Sequence, residues 1–125
     1  VLLEDRATGK RTWVVNVHNP ANTRDHPDNE RNRDEAMRRE RELVADLRST
    51  GVPVLLVGDF NEHGEAPRTM TAGGAATSVA PTQARAGIDW IFGTGPVTFS
   101  DHVVDAATRR SGTSDHPLVV ATASI

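Results

Sequence analysis

Two stretches of this chain, TWVVNVHNP (residues 12–20) and VPVLLVGDFN (residues 52–61), constrain it more than anything else in the sequence. Each is a nearly unbroken apolar run that stops abruptly on polar groups. Side chains of a strand alternate between its two faces, so a strand that is apolar at consecutive positions needs cover on both. The fold must therefore place a sheet between layers. The polar groups that end the runs must sit at that sheet's rim.

The remaining elements follow from local pattern. VLLED, ATGK and RTWVVNVH read as two strands around a glycine-containing turn. NPANTRDHPDN is a polar loop. Residues 29–50 then turn helical, with Asp25 or Asp28 available to cap the start and Gly51 just past the end. Met37, Val44 and Leu47, with Ala36 and Leu43 beside them, form a narrow apolar stripe. The Arg and Glu around that stripe read as a solvated face with i,i+4 pairs such as Glu35 to Arg39. After the second apolar strand, residues 61–87 read as a long loop of small residues with no core of its own. IDWIF, VTFSDHVVDA and PLVVATASI are short strands, with Trp90 and Phe92 as core residues of the first. The order β-β-α-β, loop, β-β-β predicts an α+β fold: one mixed, mainly antiparallel sheet with one long helix. That helix covers one face of the sheet, so the other face awaits a cover from elsewhere.

Bulk properties exclude several classes. At 125 residues the chain suits a single domain. No apolar run approaches the roughly 18 residues of a membrane-spanning helix. Cysteine is absent, which rules out disulfides and Cys-based zinc sites and leaves the compartment open. A net charge of −3 gives no global pull on a polyanion, so phosphate binding has to come from a local patch. Of the 14 basic residues only Lys10 is not Arg, a bias that a GC-rich genome explains. The opening at Val1, already strand-like and without Met, suggests a piece of something longer.

Four places break the apolar grammar, all at strand ends: Asn16, His18 and Asn19; Asp59 and Asn61; Asp89; Asp115 and His116. Each alone has an ordinary reading, as a satisfied histidine, an Asx turn or a cap. Together they put three carboxylates and two imidazoles at one rim, where like charges raise one another's pKa values and desolvated carboxylates are costly. A hard divalent cation removes that penalty and prefers such oxygen donors. A histidine beside an aspartate is also what acid–base chemistry near neutral pH requires. Asp59 and Asn61, two positions apart on an extended backbone, face the same way, so one can hold a water while the other donates to an oxyanion.

In this order, VVNVH, GDFN, IDWIF and SDHPLV, the chain resembles the endonuclease/exonuclease/phosphatase superfamily, the DNase I-like metal-dependent phosphoesterases. The resemblance covers essentially residues 1–125, read as the C-terminal portion of a single such domain and thus as half of a four-layer α/β sandwich. It implies catalytic roles for His18, Asp59, Asn61, Asp89 and His116. His116 is general base or phosphate-polarising group, oriented by Asp89. Asp59 aligns or deprotonates water, and the choice of base between Asp59 and His116 stays open. Asn61 would bind the scissile phosphate, with Asn16 and Asn19 as further substrate contacts and His18 as phosphate contact or general acid. Asp115 and Asp59 would hold the metal, Mg²⁺ or Mn²⁺, with Ca²⁺ a further possibility.

The family's first metal-binding Asn and Glu have no counterpart here. Both that chemical gap and the uncovered sheet face are expected to be filled by a missing N-terminal half or by a second copy. The implied activity is metal-dependent hydrolysis of a phosphoester, foremost a phosphodiester and nucleic acid ahead of lipid. Arg24, Arg68, Arg85, Arg109 and Arg110 lie in loops near the motifs as phosphate contacts. The alternatives are a catalytically inert fragment, a degenerate binding module, or a lipid or inositol phosphatase. The Arg- and Ala-rich composition resembles that of actinobacterial proteins, whose homologues are often secreted, so a secreted bacterial protein is the expectation.

Overall fold

The structure is a computed structural model that describes residues 1–80 and 87–125. Strand β1 (Leu2–Glu4) pairs antiparallel with β2 (Arg11–His18) across the expected turn, where the Asp5 carboxylate accepts the Ala7 and Thr8 N–H groups at 2.7 and 3.1 Å. Strand β3 (Val54–Asp59) lies parallel to β2. A parallel pair needs a crossover, and helix α1 (Glu30–Ser49) supplies it. Strand β5 (Asp89–Gly93) is antiparallel to β3, and the two-residue β4 (Thr77–Ser78) closes the edge, giving the order β1-β2-β3-β5-β4.

Alternation decides what each face carries. Trp13, Val15 and Val17 of β2, Val54 and Leu56 of β3, and Trp90 and Phe92 of β5 point to the helical side. There they meet Met37 and Val44 of α1. Phe60 and Phe92 pack edge to face at 5.3 Å, and Trp90 stacks on Phe92 at 6.0 Å. Burying each such side chain stabilises the fold by about 1.5–3 kcal/mol. Of the expected stripe, Leu47 is half-buried and Leu43 is 44 % exposed. Asn29 stands at the N-cap of α1. Of the two candidate caps, Asp28 bonds a helix N–H, accepting from Glu30 at 3.1 Å.

Three expectations are corrected. The segment after β3 does contain a core-forming element: helix α2 (Glu65–Thr71), which buries Ala66, Pro67 and Met70. Small residues hid it, and Pro67 in its first turn needs no N–H partner there. The last two strands, β6 (Thr98–Asp105) and β7 (Leu118–Ser124), form their own antiparallel sheet rather than extending the first. Finally, the connection between them holds a short helix, α3 (Ala107–Ser111).

The β6–β7 hairpin also changes the question of cover. Val104, Pro117 and Val119 enclose a small hollow with Val79, Ala80 and Asp89. Phe99 packs over Gly93 so closely that a Cβ there would lie 3.0 Å from its ring. The hairpin therefore lies against the non-helical face of the large sheet. Its other face carries Val103, Leu118 and Val120, 53, 52 and 45 % exposed, while Val104 on the inner face is 46 % exposed, so the hairpin covers the sheet only in part. Apolar surface is left exposed on both faces of the hairpin rather than on the large sheet alone.

Candidate active site

Residues in register stand side by side across strands, and the site grows from one such row. His18 at the end of β2 pairs with Asp59 at the end of β3, and Asp59 pairs with Asp89 at the start of β5. All three have the parity opposite to the core-facing residues, so all three project from the non-helical face. Gly58 makes this packing possible. Its φ is +141°, and a Cβ would sit 2.0 Å from the Val17 carbonyl oxygen, so no other residue lets β2 approach here.

The GDFN segment then places its side chains alternately. Asp59 faces out, Phe60 is fully buried in the core, and Asn61 faces out again. Asn61 adopts φ +50°, which Asn tolerates, and its N–H donates to Asp59 Oδ1 at 2.7 Å. That bond fixes the carboxylate's orientation and leaves Oδ2 aimed at two imidazoles. His18 Nε2 lies 3.6 Å and His116 Nε2 3.8 Å from Asp59 Oδ2.

His116 arrives from the hairpin, where Thr108 Oγ1 donates to its carbonyl at 2.7 Å and its own N–H donates to Ser114 Oγ at 3.0 Å. Its Nδ1 is 2.8 Å from Asp89 Oδ2. An ionised carboxylate only accepts, so Nδ1 carries the proton. The hydrogen bond to Asp89 is the main cause that raises the His116 pKa above its ordinary value. The nearby charges of Asp89, Asp59 and Asp115 add to it, against a smaller opposing effect of burial. The 3.8 Å gap to Asp59 is too long for a hydrogen bond. An oxygen cannot enter between atoms that close, but one lying beside the pair can contact both.

The other sequence candidates are distributed around this row. Asn16 is exposed on the same face, two residues before His18. Asn61 Nδ2 donates to the Asn19 carbonyl at 2.8 Å, which engages one of its two amide hydrogens. Asn19 itself is buried beneath the row, its N–H donating to the Asp59 carbonyl at 2.8 Å. Asp115 is exposed in the turn before His116. It stands outside the trio Asp59, Asp89 and His116, whose ligating atoms lie within 4.8 Å of one another. Arg68 lies on α2 and Arg109 and Arg110 on α3, helices rather than loops; Arg24 is exposed in the loop after β2, and Arg85 lies outside the described residues.

The sequence reading missed Arg33, Glu40 and Glu62. Arg33 and Glu40 are buried on α1 with Met37 and Val44, at i, i+4, i+7 and i+11. Two charged residues inside an apolar stripe were the available signal.

A divalent cation fits this donor set. Mg²⁺ commonly takes one or two carboxylates and keeps several waters, and Asp59 and Asp89 provide two carboxylates within reach of each other and of His116. A rim of carboxylates and imidazoles on a two-sheet scaffold defines a phosphoesterase-like α/β protein. The chain belongs to the Endonuclease/Exonuclease/phosphatase family, which it matches over residues 2–116. Among curated proteins no sequence matches it. Its fold is similar to that of a mannosyl-6-phosphatase of Bacteroides thetaiotaomicron VPI-5482, with TM-score 0.73, 16 % identity, and coverage of 98 % of this chain and 54 % of the other. It is also similar to the catalytic domain of human Nocturnin, solved with bound sulfate, with TM-score 0.66, 14 % identity and coverage of 98 % and 51 %. The chain thus spans about half the length of the structures it resembles. Helices, a mainly antiparallel mixed sheet and a second sheet against it make the described architecture α+β, half of a DNase I-like four-layer sandwich.

Proposed function

We propose that these residues form the hydrolytic half of a metal-assisted phosphoester hydrolase whose preferred substrate is a phosphodiester, with nucleic acid ahead of lipid. The observation that carries this reading is Asp59 Oδ2 with an imidazole Nε2 on either side, at 3.6 and 3.8 Å, one of them backed by a second carboxylate at 2.8 Å. Asp59 and Asp89 would hold the cation, with Asp115 nearby, and the cation would supply Lewis-acid stabilisation of phosphate charge.

The chain's own groups perform the rest. Asp59, held by the Asn61 N–H, orients a water beside the Asp59–His116 pair. A water there lies within reach of two proton acceptors, Asp59 and neutral His116. The amide hydrogen of Asn61 that Asn19 does not engage points charge-stabilising polarity at a phosphoryl oxygen, a contribution of about 2–4 kcal/mol in comparable oxyanion sites. His18, exposed at the outer end of the row, protonates the leaving oxygen. Arg68, Arg109 and Arg110 provide the local positive charge that an acidic protein needs to attract a phosphate backbone.

The rest of the domain, or a second copy, completes the assembly by covering Val103, Leu118 and Val120. The test is hydrolysis of bis-p-nitrophenyl phosphate, p-nitrophenyl phosphate and a DNA oligonucleotide with Mg²⁺ or Mn²⁺, and with EDTA. Metal-dependent turnover of the diesters supports the proposal. Turnover of none, by this chain or by a longer one carrying the remainder of the domain, overturns it.

A further inference from the structure

Helix α1 carries two buried charged side chains that touch neither Asp59 nor the imidazoles, yet hold the loops that follow β2 and β3. Arg33 is 6 % exposed and Glu40 8 %. Seven residues apart, they lie on one side of the helix, two turns along. Burying a charge is expensive unless it is compensated; Arg33 is met by two carboxylates, while burial pushes the Glu40 carboxyl up against a single bond from Asn19.

Arg33 NH1 donates to the Pro20 carbonyl at 3.3 Å and to Asn22 Oδ1 at 2.8 Å, both in the loop that follows β2. Its Nε donates to Glu62 Oε2 at 3.3 Å, in the loop that follows β3, and NH2 pairs with Glu30. Glu62 is gripped a second time, its carbonyl accepting from Trp90 Nε1 at 2.8 Å. Glu40 Oε2 accepts from Asn19 Nδ2 at 3.4 Å. Asn19 in turn bonds Asp59 through its N–H and Asn61 through its carbonyl, each at 2.8 Å. One planar guanidinium and one carboxylate therefore tie the two loops to a common helix.

We infer that Arg33 and Glu40 are positioning residues. They set how the loop that leaves β2 at Asn19 lies against the loop that leaves β3 at Asn61, beside the row where the scissile phosphate would sit. The inference rests on the proposed hydrolytic role for its kinetic consequence but not for its structural one. Lysine keeps the charge of Arg33 but not its fork. Glutamine keeps an acceptor oxygen where Glu40 has one.

The experiment compares the chain with Arg33→Lys, Glu40→Ala and Glu40→Gln by NMR amide exchange and by kinetics. Expected are loss of protection, by tenfold or more, at the Asn19 and Asn61 amides in Arg33→Lys and Glu40→Ala. Protection within β3 and β5 stays unchanged, and Glu40→Gln restores it. In chains that turn over, kcat falls about tenfold in the first two variants with KM within threefold, and recovers in Glu40→Gln. Unchanged protection at Asn19 and Asn61, or a Glu40→Gln variant indistinguishable from Glu40→Ala, overturns the inference. Lost protection in a protein that hydrolyses nothing supports it while the hydrolytic proposal fails.

Discussion

His116 Nδ1 sits 2.8 Å from Asp89 Oδ2, joining the first residue of β5 to the connection that leads into β7. This bond links the hairpin to the large sheet at the point where the carboxylates gather. It also decides which ring nitrogen faces Asp59, because the proton on Nδ1 leaves Nε2 turned inward.

The first prediction concerns that bond and the pH dependence of stability. In the folded chain the His116 pKa lies above its ordinary value of 6.5, chiefly through Asp89. A histidine raised in the folded state contributes stability that is complete below the unfolded pKa and is lost as pH rises through the folded value. Asp89→Asn, studied with a chelator present, is therefore expected to lower the His116 titration midpoint in NMR. It should destabilise the chain more at about pH 5 than at a pH above the folded midpoint measured in the same titration, where the imidazole is neutral. An equal loss at both pH values would mean that Asp89 acts through packing alone.

Asp59 is the member of the row that every neighbour addresses: two imidazoles, the Asn61 N–H and, through its carbonyl, the Asn19 N–H. In a protein that turns over, Asp59→Ala or His116→Ala is expected to reduce phosphodiesterase rate by at least about two orders of magnitude. Rates within a few-fold of the parent would remove these residues from the chemistry.

Cation binding can be read without catalysis. A ligand that binds only the folded state at about 100 times its Kd adds about 2.7 kcal/mol of stability. Titrating Mg²⁺ and Mn²⁺ against the thermal midpoint should raise it by several degrees, and Asp59→Ala should abolish the rise. A midpoint insensitive to both metals would favour the inert reading for this length of chain.

How much of this was legible beforehand depended on the kind of force involved. Strand runs such as VLLVGDFN declare themselves because alternation and burial are local. The four motifs that form the site did so too, since each stands where a strand stops. Helix α2 was not visible, because Ala66 and Pro67 bury themselves through contacts with distant residues rather than through any periodic signal of their own. The hairpin's separation from the main sheet was equally hidden, for strand partners are chosen by long-range pairing. Asn19 is instructive. Its sequence position next to His18 suggested a surface contact, whereas Glu40, twenty-one residues on, draws its amide inward. Arg33 and Glu40 looked like part of a solvated face, although their spacing with Met37 and Val44 put them on the apolar stripe.

The outer face of the hairpin carries a prediction of its own. Val103, Leu118 and Val120 are about half exposed, so they contribute little to folding this chain. Replacing the cross-strand partners Val103 and Val120 by lysine and glutamate should change its stability by less than about 1 kcal/mol in total. The same pair should weaken self-association at high concentration, measured by sedimentation, because a contiguous apolar patch would be broken by charge. A parent chain that stays monomeric throughout would leave the patch without a role as an interface between copies.

Gly58 offers the sharpest test of the scaffold, because a single methyl group separates the allowed from the forbidden. At φ +141°, with a Cβ placed 2.0 Å from the Val17 carbonyl oxygen, alanine must either push β2 away or abandon the register of β3. Backbone strain of this kind alone costs about 1–3 kcal/mol, and the steric overlap adds to it. Gly58→Ala is therefore expected to cost at least about 2 kcal/mol in chemical denaturation. The displacement would also widen the His18–Asp59 pair, which sits one residue further along the same register. Metal-induced stabilisation should fall with it, even in the fraction that remains folded. A variant as stable and as metal-responsive as the parent would show that β2 and β3 do not approach as closely as this register requires.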